Sequence, residues 1–169
     1  MKNLYMIGGI MGVGKTTVCQ ILKQRLDSSV FLDGDWCWDM SPFRVTPETE
    51  RMVLENIRFL LNSFLCCSAY ENVIFCWVMH EQKIIEDILS GLELSACGVY
   101  RISLICTREA LLERLQKDVV SGIRTEDSID RSMERVSLYE GLDTIKIDTS
   151  MLSPSQTAAR IVEAAKGNI

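Results

Sequence analysis

The sequence predicts an α/β fold, a parallel sheet flanked by helices, and three observations carry that prediction. Apolar runs of strand length alternate with longer stretches of helical period, the pattern of repeated βα units. One run, Val73-Ile74-Phe75-Cys76-Trp77-Val78-Met79, is continuously apolar, as befits a strand buried on both faces of a parallel sheet. A glycine-rich loop, Gly9-Ile10-Met11-Gly12-Val13-Gly14-Lys15-Thr16, joins an apolar strand directly to a helical pattern.

Leu4 to Gly8 is the first expected strand. Thr16 to Leu26 is the helix after the glycine loop, with Val18, Ile21, Leu22 and Leu26 as its apolar stripe. Val30 to Asp33 gives a short second strand. Thr46 is placed to cap, and Pro47 to open, the longest helix, whose apolar face recurs from Met52 through Leu65. Val73 to Met79 is then expected at the sheet centre. A helix over Ile84 to Leu92, a strand over Val99 to Cys106 and a helix over Arg108 to Lys117 capped by Thr107 follow. Thr144 to Asp148 is the last strand, and Pro154 opens a closing amphipathic helix with Ala158, Ile161, Val162 and Ala165.

With 169 residues and 47% apolar composition the chain suits one hydrophobic core, so a single domain over 1–169 is expected. A net charge of −5 offers no broad basic field for nucleic acid, which is set aside as a main partner. The longest apolar stretches fall short of the roughly 20 residues a bilayer span requires. The residues before the glycine loop contain no small-residue cleavage site, and seven cysteines without a C-x-x-C pair read as reduced core residues of a cytoplasmic protein. The single histidine has no cysteine at ligand spacing, which argues against a metal site of that kind.

The glycine loop fits G-x-x-x-x-G-K-[ST] in the strand–loop–helix context that gives the pattern its meaning. Glycines let the backbone wrap a phosphate chain while N–H groups and the helix N-terminus point at it. ATP or a close relative is the expected ligand, with Gly9, Met11, Gly12, Val13, Gly14 and Thr17 around the phosphates. Lys15 would reach the β- and γ-phosphates, and the Thr16 hydroxyl would ligate Mg²⁺.

Asp33-Gly34-Asp35 stands at the C-terminal end of the second strand, the edge where open α/β sheets bind ligands. A carboxylate there can hold Mg²⁺ or accept a proton from an attacking hydroxyl, and Asp33 and Asp35 are the respective candidates. A β-turn would favour the same residues on conformational grounds alone. Trp36, Trp38 and Arg44 lie in a segment without clear periodicity that can line an acceptor pocket, although packing of the tryptophans on the long helix accounts for them equally. His80, at the end of the Val73–Met79 run, is an acceptor-side candidate or a hydrogen-bonded strand end.

A polar stretch, Asp118 to Asp127, interrupts two helical patterns and reads as a short lid. Arginines delivered by a closing lid can neutralise charge on a transferring phosphoryl group, and Arg124 and then Arg114 are the candidates. Arg131 and Arg135 fit a solvated helix face.

On these residues the chain resembles the small P-loop kinases, the shikimate, gluconate, adenylylsulfate, chloramphenicol and nucleoside or nucleotide kinase group. Leu32-Asp33-Gly34-Asp35 is similar to the acidic loop of gluconate and adenylylsulfate kinases, and Ile147-Asp148-Thr149-Ser150 to the loop that borders the adenine, which places Thr149 near the nucleotide. The resemblance implies five parallel strands in the order 2-3-1-4-5, a lid closing over the donor and Asp35 facing the acceptor. After Asp35 the chain departs from the gluconate kinase motif, so gluconate is not carried over. Trp77-Val78-Met79-His80 lacks the acidic residue of a Walker B strand, which argues against an AAA-type motor, and no Asn-Lys-x-Asp sequence supports a GTPase. The expected activity is transfer of the γ-phosphoryl of Mg·ATP to a hydroxyl or phosphate of a small molecule: a nucleoside or nucleotide, a sugar acid or an antibiotic-like acceptor. Its rival is a nucleotide-binding module without turnover. Oligomeric state is not legible.

Overall fold

The computed structural model describes residues 2–167. Five parallel strands form one sheet in the order β2-β3-β1-β4-β5, with β1 over Lys2–Gly9, β2 over Ser29–Asp33, β3 over Asn72–Cys76, β4 over Cys97–Ile105 and β5 over Ile145–Asp148. The helices are α1 (Lys15–Arg25), α2 (Pro47–Cys66), α3 (Gln82–Ser90), α4 (Arg108–Val120), α5 (Asp127–Arg135) and α6 (Pro154–Gly167), with short 3-10 turns over Gly34–Trp38 and Val136–Tyr139.

The caps read from the sequence are present. Thr46 accepts from the Thr49 amide, the Thr49 hydroxyl accepts from the Thr46 amide, and Pro47 opens α2. Thr107 accepts from the Ala110 amide at the start of α4. α6 begins with a reciprocal pair, since the Ser153 hydroxyl accepts from the Gln156 amide and the Gln156 side chain accepts from the Ser153 amide.

Two expectations are corrected. The strand read as Val73 to Met79 ends at Cys76, and it lies beside the central strand, which is β1. Its five residues are all buried, so the apolar run reports burial correctly. The run continues through Trp77, Val78 and Met79 because those side chains cover other surfaces. After a last bond from the Trp77 amide to the Ile7 carbonyl, the chain leaves the ladder and turns, the His80 amide donating to the Val78 carbonyl. The polar interval read as 118–127 is also narrower: α4 runs to Val120 and α5 begins at Asp127.

Register positions the site. Ile7 and Asp33 both pair with Cys76, and Gly9 pairs with Leu104, so the strands release their loops along one edge. The glycine loop, the Asp33 turn, the Trp77 loop and the loop after Asp148 therefore share that edge.

Candidate functional site

Gly9 ends β1 with φ +154, and a Cβ there would meet the Leu104 carbonyl oxygen at 2.8 Å and Val13 at 2.9 Å. Gly12 has φ +87, and a Cβ there would meet the Leu115 side chain of α4 at 2.5 Å. Gly14, at φ +100, stands as the N-cap of α1 with open space beside it. The loop that results leaves the N-terminus of α1 facing a cavity of about 550 Å³ lined by Met11 through Val18, Asp35, Val78, Arg114, Arg124 and Thr149 among others. A helix N-terminus opening on a wrapped backbone loop is an anion-binding arrangement.

Lys15 donates to the carbonyls of Gly9 at 2.8 Å and Ile10 at 3.1 Å, folded back along the loop. Burial pulls its ammonium below the ordinary lysine value, and Cys76, Asp35 and Asp33 oppose that pull. The Thr16 hydroxyl donates to Asp33 Oδ2 at 2.7 Å, and Asp33 Oδ1 accepts from the Asp35 amide at 3.1 Å, so one buried carboxylate ties α1 to the 3-10 turn after β2. That bond fixes where Asp35 emerges. Burial of its carboxyl and the charge of Asp33 raise Asp35 above the ordinary aspartate value, against the weaker pull of Lys15, Trp77 and Arg124.

The two leading arginines face the same cavity differently. Arg114 donates to Thr149 Oγ1 at 3.0 Å, to the Thr149 carbonyl at 2.6 Å and to the Val13 carbonyl at 3.3 Å, tying the glycine loop to the loop after β5. Thr149 is buried and gives its hydroxyl hydrogen to the Ile105 carbonyl. Arg124 pairs with Asp118 at 2.9 Å across the α4–α5 connection. Thr17 lines the cavity beside Thr16.

A second cavity, of about 920 Å³, adjoins the first, and Met11, Asp35 and Val78 line both. Trp36, Trp38 and His80 lie on its wall. The His80 ring bonds the Val78 carbonyl through Nδ1 at 2.9 Å. Arg44 is brought to neither cavity: it is exposed, and its carbonyl accepts from the Thr49 hydroxyl beside the cap of α2.

Sequence reasoning missed several wall residues. Trp77 turns its indole onto Gly34, and Glu50, Leu54, Lys83 and Asp87 reach the second cavity from the first turns of α2 and from α3. Arg131 sits on a solvated face paired with Asp127, as expected, but Arg135 lines the second cavity. The i, i+4 pairs Glu50/Leu54 and Lys83/Asp87 are the available signal, since each puts two side chains on one helix face.

Among the described residues, no cluster of three or more His, Cys, Asp or Glu side chains is arranged to hold a metal ion, and no helix is long and apolar enough to cross a membrane. All seven cysteines are free thiols.

Comparison with known proteins agrees with this fold. Residues 6–135 match the family model described as AAA domain. The tunicamycin resistance protein of Deinococcus radiodurans is similar in structure, with a TM-score of 0.72 at 20% identity over 97% of this chain and 95% of that one. A gluconokinase from Sinorhizobium meliloti 1021 gives 0.69 at 16% identity, covering 98% and 95% of the two chains. Shikimate kinase from Acinetobacter baumannii, in complex with shikimate, gives 0.61 at 20% identity, covering 99% and 94%. No curated protein sequence matches the chain. The family match carries the AAA name although β3 ends without an acidic residue; here the carboxylate bonded to the loop threonine comes from β2 instead. The chain belongs to the AAA domain family and has the five-stranded fold of the small P-loop kinases.

Proposed function

We propose that this protein transfers the γ-phosphoryl group of Mg·ATP to a hydroxyl or phosphate of a small molecule. The observation that carries the reading is Asp35: it lines both cavities, at the place where a donor phosphate in one would meet an acceptor in the other. Fold likeness at this level of identity speaks for the architecture, and the activity is argued from the site.

In this reading the glycine loop amides and the N-terminus of α1 take the triphosphate, and Lys15 leaves the Gly9 and Ile10 carbonyls for the β- and γ-phosphate oxygens. Thr16 and Asp33 suit Mg²⁺: a hydroxyl and a carboxylate oxygen already 2.7 Å apart are two hard ligands, and phosphate oxygens and water complete such a shell. When bound, the ion neutralises charge on the phosphates. Asp35 accepts the acceptor's hydroxyl proton as the acceptor oxygen bonds to the γ-phosphorus and the bond to the β,γ-bridging oxygen breaks, leaving ADP. Its raised pKa suits proton acceptance nearer neutrality than an ordinary aspartate allows. Arg124, on the connection between α4 and α5, leaves Asp118 to face the transferring group, and Arg114 keeps the donor walls in place.

Asp35→Asn tests the reading. Transfer should fall by about 100-fold or more, the range of general base contributions, while the affinity for Mg·ATP measured by calorimetry stays within a few-fold. Unchanged turnover would remove Asp35 from the reaction.

A further inference from the structure

The second cavity has a charge that a kinase fold does not dictate. Five carboxylates line it, Asp35, Asp39, Glu50, Glu81 and Asp87, against two cations, Lys83 and Arg135. Lys83 is already committed, with its ammonium 2.6 Å from Asp87 Oδ2. Glu81 has the His80 ring at 3.5 Å, and among the described residues Asp39 and Glu50 enter no ion pair. An anionic molecule entering here meets a negative field with Arg135 alone to offset it.

The same wall is aromatic. Trp36, Trp38, Phe43 and Trp77 line the cavity, and Trp36 and Phe43 are 55% and 66% exposed. The rings of Trp38 and Phe43 stand 5.8 Å apart at 49°, tilted rather than stacked, so their faces are not spent on one another. Trp36 pairs with Phe31 in a T-shaped arrangement at 5.4 Å and stays largely exposed, and an exposed indole attracts a cation through the ring quadrupole, most strongly where carboxylates share the site. At about 920 Å³ the space is at the upper end of the roughly 300–1,000 Å³ typical of pockets for drug-sized ligands. It is larger than a small polar metabolite fills.

From the carboxylate excess, the aromatic wall with its exposed Trp36 and the size of this cavity, we propose that the acceptor is a cationic amphiphile, a hydroxylated and largely apolar molecule bearing an ammonium group. Its apolar body lies against Trp36, Trp38 and Trp77, its ammonium faces Asp39, Glu50 and Glu81, and its hydroxyl reaches Asp35. The inference rests on the second cavity being the acceptor half of the proposed kinase, and it narrows the acceptor away from sugar acids and nucleotides.

All three tryptophans of the chain line this cavity, so their fluorescence reports binding there directly. Three matched biphenylmethanols are titrated with calorimetry as a second readout: one bearing a para trimethylammoniomethyl group, its neutral neopentyl isostere and its carboxymethyl counterpart. The ammonium probe should bind about tenfold tighter than the neutral one and tighter still than the carboxylate, with the preference shrinking in high salt. Asp39→Asn with Glu50→Gln, both at exposed positions, should cut the preference about three- to tenfold and leave Mg·ATP affinity unchanged. A carboxylate probe that binds as tightly as the ammonium, a preference that persists in the double variant, or no binding of any probe overturns the inference. Phosphoryl transfer to each probe is followed separately by mass spectrometry. An ammonium preference without transfer upholds the charge reading and counts against the kinase; transfer confined to the carboxylate probe does the reverse.

Discussion

Gly34 offers the sharpest structural test, because it touches the acceptor wall without touching the glycine loop. A Cβ at this position would stand 2.6 Å from Trp77 Cγ, 2.7 Å from Cδ1 and 3.0 Å from Cβ. Carbon atoms prefer separations of about 3.5–4.0 Å, so Gly34→Ala drives a methyl roughly 1 Å into a rigid indole. Backbone conformation adds nothing to this cost, since Gly34 has no positive φ. Overpacking of this kind costs about 1–3 kcal/mol. At about 3 °C per kcal/mol for a chain of this size, the melting temperature should fall by about 3–9 °C. Scanning fluorimetry reads the loss, and tryptophan emission should change with it because Trp77 is one of only three indoles. Asp33 and Asp35 flank Gly34, so turnover should drop, with a smaller loss of Mg·ATP affinity alongside. Gly141→Ala is the control: it has open space and no positive φ, and should stay within about 0.5 kcal/mol of wild type. A Gly34→Ala protein as stable as that control, with unaltered emission, would refute the reasoning.

Lys15→Ala should abolish thermal stabilisation by Mg·ATP. With nucleotide at a hundred times its Kd the wild-type protein should gain about 2.7 kcal/mol, roughly 5–10 °C, and a similar gain in the variant would contradict phosphate binding by this loop. Arg114→Ala removes three bonds between a guanidinium and the glycine loop and Thr149; a loss of about 3 kcal/mol and weaker nucleotide binding should appear together, by denaturant titration and calorimetry. Asp35 sets a pH dependence with opposite signs for turnover and stability. As a proton acceptor it must be ionised, so kcat/KM should rise with pH through a value above the roughly 3.9 of a free aspartate. For the fold, a raised carboxyl pKa is a contribution fully present below the unfolded value and lost as pH rises through the folded one. Asp35→Asn should therefore melt higher than wild type near neutrality and converge with it in acid, and melting curves across the pH range check the sign.

The glycine loop was legible because its motif is local. Gly9 to Thr16 must be contiguous to wrap phosphates, and the caps at Thr46 and Thr107 are set by neighbours a few residues away. Asp33 and Asp35 were legible through a rule about sheet edges. What stayed hidden depends on contacts between distant segments. Val73 to Met79 reads as one strand because hydropathy does not distinguish a side chain buried in the sheet from an indole packed on Gly34. Arg135 reads as a solvated helix face and Glu50 carries no motif of its own; the packing of α2 against α3, through Arg58 to the Asp87 carbonyl and Asn62 to the Gly91 carbonyl, is what sets Glu50 beside Lys83 and Asp87 on one cavity wall. Arg44 shows the converse. Its position between two tryptophans and the long helix suggested a pocket, but the helix cap points its backbone, rather than its guanidinium, at a defined partner.

Asp33 divides its two carboxylate oxygens between the halves of the site. Oδ2 takes the Thr16 hydroxyl on the donor side, while Oδ1 takes the Asp35 amide on the other. The bond that presents Asp35 is thus already made without a nucleotide and does not itself involve Thr16. In a transferase built this way neither partner has to prepare the ground for the other. For the proposed transfer this division predicts random-order steady-state kinetics with little synergy between the two binding constants, and a strictly ordered pattern would contradict it.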